Sequence, residues 1–354
     1  MKISNAVVAA ALLAGCQDPA TSNNFKPQPG AINLNRLLQH PPTDLLACTL
    51  LQTADLPVQQ LGGKLFVQAT INRSLATFVF DTGAVQSLIT PEAAKRIDLR
   101  LVSTNGQSYS GIGGERKASV YRADFVQFGM VHAAQWDFSV ADFGLKQGSG
   151  IDGLIGADIL RAYDVDLDLP AGRIRLFYPV HDCSHPNAFL GGTLFEVPLQ
   201  TSVETHVLGN RQIQVIYAPN SPTIAVSLGG KSFNAVLDTG AVSNVMYRQG
   251  FEALGITRAD VLSHRSVDMR GIGASAVPAS TRKFQSAAIG DLEVRNTDFY
   301  LIDQEGPIGG PELLLGLPLM NRIHMWISHS SNTLIMQYPP SSSPDAKPVA
   351  GGLK

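Results

Sequence analysis

The feature that most constrains this chain is an internal duplication. Asp81-Thr82-Gly83-Ala84-Val85 recurs as Asp238-Thr239-Gly240-Ala241-Val242. Gly111-Ile112-Gly113 begins 30 positions after the first Asp, and Gly271-Ile272-Gly273 begins 33 after the second. Leu154-Ile155-Gly156 places its Gly 75 positions after Asp81, and Leu314-Leu315-Gly316 places its Gly 78 after Asp238. Three landmarks in one order at near-constant spacing mean that each half builds the same unit.

The unit reads as β. Residues 66–71 and 76–80 flank a turn at Arg73-Ser74 and lead into Asp81, while 223–228 and 232–237 flank Gly229-Gly230 and lead into Asp238. After each apolar-apolar-Gly a short helix is expected, over 157–163 and 317–323. A hairpin then follows in each copy, 165–169 with 174–178 and 324–327 with 334–338, and Pro179 and Pro339 close the two copies. With 33 Gly and 21 Pro, strand-length apolar runs favour an all-β fold over a helical bundle. The division expected is a targeting segment at 1–16, a tether and N-terminal extension at 17–60, a first lobe at 61–180, a connector at 181–212, a second lobe at 213–340, and a disordered tail at 341–354.

A strand ending in Asp-Thr-Gly, then a Gly-rich hairpin, then an apolar-apolar-Gly, all present twice, resembles the retropepsin-like aspartic peptidases and more widely the pepsin clan. The resemblance covers most of residues 61–340. It implies two retropepsin-like β-barrel lobes in tandem about a pseudo-twofold axis, with Asp81 and Asp238 as the catalytic pair in the cleft. One carboxylate cannot both take a proton from water and give one to a peptide carbonyl, and two held close together share a proton. The implied activity is endopeptidase hydrolysis of an extended protein or peptide segment by a water activated between the two Asp, with no cofactor and no metal. Near-symmetry leaves open which Asp is acid and which base. Thr82 and Thr239 match the family's threonines that brace the two loops, and Gly83 and Gly240 let the backbone turn beside the carboxylates. Gly111, Ile112, Gly113 and Gly114, with Gly271, Ile272 and Gly273, sit where the family carries substrate-binding flaps, so two flaps are expected. Flaps that bond backbone to backbone suit a peptide in strand form. Ala84 and Ala241 stand where pepsin-like enzymes often carry a hydroxyl that bonds the carboxylate. Its loss removes one source of pKa depression and points to a less acidic optimum.

Three other arrangements compete with this reading: a catalytically silent peptide-binding protein, lobes that pair between chains rather than within one, and a latent form with residues 17–60 in the cleft. A connector of about thirty residues favours pairing within one chain, as a monomer, since that avoids the concentration cost of dimerisation.

The chain start reads as an export signal. Lys2 precedes a short apolar run, and Leu13-Ala14-Gly15-Cys16 resembles the lipobox of bacterial lipoproteins. That resemblance implies acylation of Cys16 and a lipid anchor as the only membrane contact, placing the protein in the bacterial envelope, at the periplasmic face of the outer membrane, with envelope proteins as substrates. Cys48 and Cys183 then remain, as one disulfide or two free thiols. The net charge of −2 supplies no field for nucleic acid. The eight His lack metal-ligand spacing apart from His181 and His185, which fall in a loop-like stretch with Cys183 and Pro186. Asp158, Asp166 and Asp168 read as solvated strand or helix-end residues.

Overall fold

The computed structural model describes residues 25–27, 50–61, 63–106, 108–129, 131–143, 150–179, 190, 192–200, 202–208, 211–217, 221–273, 275–307 and 310–338. Cys16, Cys48, Cys183, His181, His185 and the tail at 341–354 lie outside the described residues, as does most of the tether.

The two copies fold as two closed six-stranded β-barrels in tandem. In the first, the hairpin Lys64–Ile71 and Ser74–Phe80 turns at Asn72-Arg73, both with positive φ. Gly153–Ile155 pairs parallel with residues 78–80 and antiparallel with Leu88–Ile89. Val131–Val140 and Ser119–Phe128 then close the barrel back onto Lys64–Ile71. The second barrel repeats this circuit with Thr223–Leu228, Lys231–Leu237, Leu313–Leu315, Val245–Met246, Leu292–Ile302 and Val277–Ile289. Alternation drives the closure. In Thr223–Leu228, Ile224, Val226 and Leu228 point inward at no more than 1% exposure, while Ala225 and Ser227 face out.

The short helices after each apolar-apolar-Gly are Ala157–Leu160 and Leu317–Met320, shorter than the sequence pattern predicts. Each has a Gly, 156 or 316, as N-cap. The hairpins that follow do not return to their own barrels. They meet in an antiparallel six-stranded sheet, ordered Leu194–Pro198, Thr333–Gln337, His324–Ser328, Asp164–Asp168, Arg173–Pro179 and Leu50–Pro57. The seam between lobes is the pairing of Val165 with Ile327, Asp166 with Trp326 and Leu167 with Met325. Both outer strands come from stretches read as extension and connector, and the connector stretch also opens a hairpin, Ser202–Leu208 with Arg211–Tyr217.

One sequence reading is corrected here. Asp166 is not solvated: it is fully buried in the seam, bonded to Arg175 Nε at 2.5 Å and to His324 Nε2 at 2.6 Å. Sheet pairing between lobes brings these three together from distant positions. A buried carboxylate demands such partners, because unpaired burial of a charge is costly. Asp164, also fully buried, accepts from Ser328 Oγ at 2.9 Å and from Ser330 N at 3.0 Å. Asp168 is half-buried at a strand end, and Asp158 is an exposed helix-start residue.

Candidate active site

Each Asp ends the strand that enters its Asp-Thr-Gly turn. The turn is fixed from behind by the apolar-apolar-Gly strand: Asp81 N donates to Ile155 O at 3.0 Å and Asp238 N to Leu315 O at 2.9 Å. Past that strand, Ala157 N donates to Ala84 O at 2.9 Å and Leu317 N to Ala241 O at 3.0 Å. A methyl group at Gly156 would lie 2.9 Å from Ala84 O, and one at Gly316 2.6 Å from Ala241 O, so only glycine lets the strands thread this closely.

The two turns lock across the pseudo-twofold axis. Thr82 Oγ1 donates to Leu237 O at 2.6 Å and accepts from Thr239 N at 3.1 Å. Thr239 Oγ1 donates to Phe80 O at 2.7 Å and accepts from Thr82 N at 3.0 Å. Both threonines are buried, at 4% and 0% exposure, so the grip is dry. It aims the two carboxyls at one another. Asp81 Oδ1 accepts from Gly83 N at 3.0 Å and Ala84 N at 2.9 Å, and Asp238 Oδ1 accepts from Gly240 N at 2.9 Å and Ala241 N at 3.0 Å. Each carboxyl also covers the other loop's glycine. A methyl group at Gly83 would sit 2.7 Å from Asp238 Oδ1, and one at Gly240 2.8 Å from Asp81 Oδ1.

The electrostatics follow from this closeness. Burial and the charge of Asp81 hold Asp238 well above the ordinary carboxyl range. Burial also raises Asp81, while the Ala84 amide, the Asp238 carboxyl and the Lys64 ammonium pull it down. Both groups keep partial solvent access at the cleft floor, so a water has a path to them. Such a pair holds one proton over a wide pH range and titrates as a unit.

The two Gly-Ile-Gly segments meet each other. The first is a hairpin tip joining Ser108–Gly111 to Gly114–Lys117, with Gly113 at φ 89° and Gly114 at φ 116°. The second lies in a wider loop between Val267–Met269 and Val277–Ile289. Gly273 N donates to Ile112 O and Ser275 N to Gly113 O, both at 3.0 Å. The isoleucines cross over. Ile112 packs on a second-lobe cluster of Val245, Tyr247, Val277, Ala279 and Ile302, and Ile272 packs on a first-lobe cluster of Phe66, Val79, Leu88, Phe143 and Leu154.

The structure thus brings together the two Asp-Thr-Gly turns taken from the sequence, and likewise the two Gly-Ile-Gly segments. Three supporting groups escaped that reading. Ser87 Oγ accepts from Gly156 N at 3.0 Å and donates to Asp158 Oδ1 at 2.7 Å. Its counterpart Asn244, also six positions past its Asp, accepts from Gly316 N at 3.0 Å. The matched position was the available signal, and the unlike side chains hid it. Gln304 is the third: its carboxamide accepts from Gly113 N at 2.9 Å and donates to Gly111 O at 3.1 Å.

Two barrels that pool one Asp-Thr-Gly turn each, cross-braced by threonines under crossed flaps, define a bilobal aspartic-dyad protein of the retropepsin-like kind. A family model described as "Aspartyl protease" matches residues 67–159 and 224–319, more than half of the chain, and the chain belongs to that family. Curated proteins return no match to it.

Proposed function

We propose that this protein is an aspartic endopeptidase that hydrolyses extended peptide segments. The observation that carries the reading is the facing carboxyl pair, set by glycine loops and locked by buried threonine hydroxyls. In that reading the ionised member takes a proton from a water held between the two, and the hydroxide attacks the scissile carbonyl. The protonated member gives its proton to the carbonyl oxygen, so that a tetrahedral diol forms. The C–N bond then breaks as the amine nitrogen takes up the proton drawn from water and a diol hydroxyl returns its proton to the other carboxylate, releasing acid and amine without an acyl-enzyme. The flap backbones and the apolar clusters under them suit a substrate in strand form with apolar side chains. The lipobox-like Cys16 supports an anchored envelope protein acting on envelope substrates.

The test is cleavage of a peptide library by the full-length chain from pH 3 to pH 8, with Asp81→Asn as control. Activity needs one proton on the pair. Because burial raises both carboxyls, the window lies above that of ordinary carboxyls, and the optimum is expected above about pH 4. Asp81→Asn is expected to lose at least about a thousandfold in kcat/KM. No cleavage at any pH would favour a silent peptide-binding protein.

A further inference from the structure

The dyad is nearly symmetric, but its surroundings are not. Lys64 stands 17 positions before Asp81, and Ser221 stands 17 before Asp238, at the same place at the foot of the strand hairpin in each copy. Ser221 reaches across to the other lobe's catalytic turn, where its Oγ donates to Gly83 O at 2.8 Å. The matching segment of the first lobe lies on the opposite turn: a methyl group at Gly63 would sit 3.4 Å from Val242 Cγ1. That turn is the one Asp81's carboxyl covers, through Gly240. Two residues beyond the Phe66–Val79 pair, the half-buried Lys64 falls opposite Asp81 at the foot of its hairpin, where Ser221, two beyond Thr223–Val236, falls opposite Asp238 with only a neutral hydroxyl.

Resting on the peptidase reading above, we propose that Lys64 is a positioning residue that breaks the symmetry of the pair, keeping Asp81 as the ionised member that takes the proton from water and Asp238 as the protonated member that hydrogen-bonds the carbonyl. A cation beside one of two coupled carboxyls favours the microstate with the negative charge next to it. Burial raises both carboxyls, and Lys64 is among the groups drawing Asp81 down. The other groups that bear on the pair do not cancel the bias. The second-lobe turn against Gly63 holds Gly240, Ala241 and Val242, none of them titratable. Tyr247 faces Asp238, and burial pushes its phenol up, so it stays neutral. Tyr109, in the first strand of the first flap, is bonded to Gln86 and Ser139, each at 2.5 Å.

The test reads protonation directly and does not depend on turnover. Full-length protein labelled with 13C at the aspartate carboxyls is titrated, with Asp81→Asn and Asp238→Asn identifying the two signals. On the plateau where the pair holds one proton, Asp81 is expected to show a carboxylate shift and Asp238 a carboxylic acid shift. Lys64→Met should raise the first proton loss by about one pH unit and bring the two signals together, and Lys64→Arg should restore the wild-type pattern. Ser221→Lys, which adds a cation on the Asp238 side, should also bring them together. An Asp238 signal that ionises first, or a Lys64→Met titration that overlays the wild type, overturns the assignment. A Lys64→Met protein that changes preference for acidic substrate side chains while leaving the titration untouched makes Lys64 a subsite wall and also overturns it. If the titration behaves as expected and no peptide is cleaved, the charge assignment stands and the peptidase reading fails.

Discussion

The threonines show how much a single side chain does in this molecule. Each hydroxyl closes two hydrogen bonds across the axis, so removing one strands a backbone donor and a backbone acceptor inside a dry interface. Thr239→Val keeps the shape and loses the hydroxyl. It is expected to destabilise the protein by about 3 kcal/mol in denaturant unfolding, while Thr239→Ser should stay within about 1 kcal/mol of wild type. Equal stabilities for the two variants would mean that the grip is bridged in another way. The residues of this grip were legible because the five-residue motif repeats without change. Ser87 and Asn244 were not, because one role is filled by two chemistries, and Lys64 was not, because a lone charge at the foot of a strand hairpin leaves no repeated pattern.

Among the elements, the flaps depart furthest from symmetry. The first is a tight hairpin and the second a wide loop, although both carry Gly-Ile-Gly. Among the described residues, Gln304 fastens only the first, and four hydrogen bonds hold its tip to the second lobe: two from the carboxamide and two from the backbone of the facing loop. Gln304→Ala removes the acceptor of Gly113 N, and hydrogen exchange at the Gly113 amide is expected to quicken about tenfold, the equivalent of one hydrogen bond. Unchanged exchange would mean that the backbone contacts alone keep the flap down. The repeated glycine pattern marked both loops: the first turns at positive φ, and in the second a methyl group at Gly273 would collide with Gly113 O. Their mutual contact and the Gln304 bridge arise only when two distant loops meet, and no local pattern records that.

At the scale of the whole molecule, duplication made the lobes, their order and the pseudo-twofold legible, since two copies that each bury a β unit must place their motifs equivalently. The six-stranded sheet between the lobes was less so. Its four central strands appeared as two hairpins, but its edge strands, Leu50–Pro57 and Leu194–Pro198, come from segments that look like linkers and gain their partners only by long-range pairing. That sheet, with Asp166 and His324 buried along its seam and the half-buried Arg175 beside them, joins the two halves within one chain and so supports a dyad completed in cis. The most direct measurement is peptide cleavage by the wild type, by Asp81→Asn, by Asp238→Asn, and by an equimolar mixture of the two variants. The account predicts cleavage by the wild type alone. A variant that cleaves as fast as the wild type, or a mixture in which cleavage returns, would contradict it.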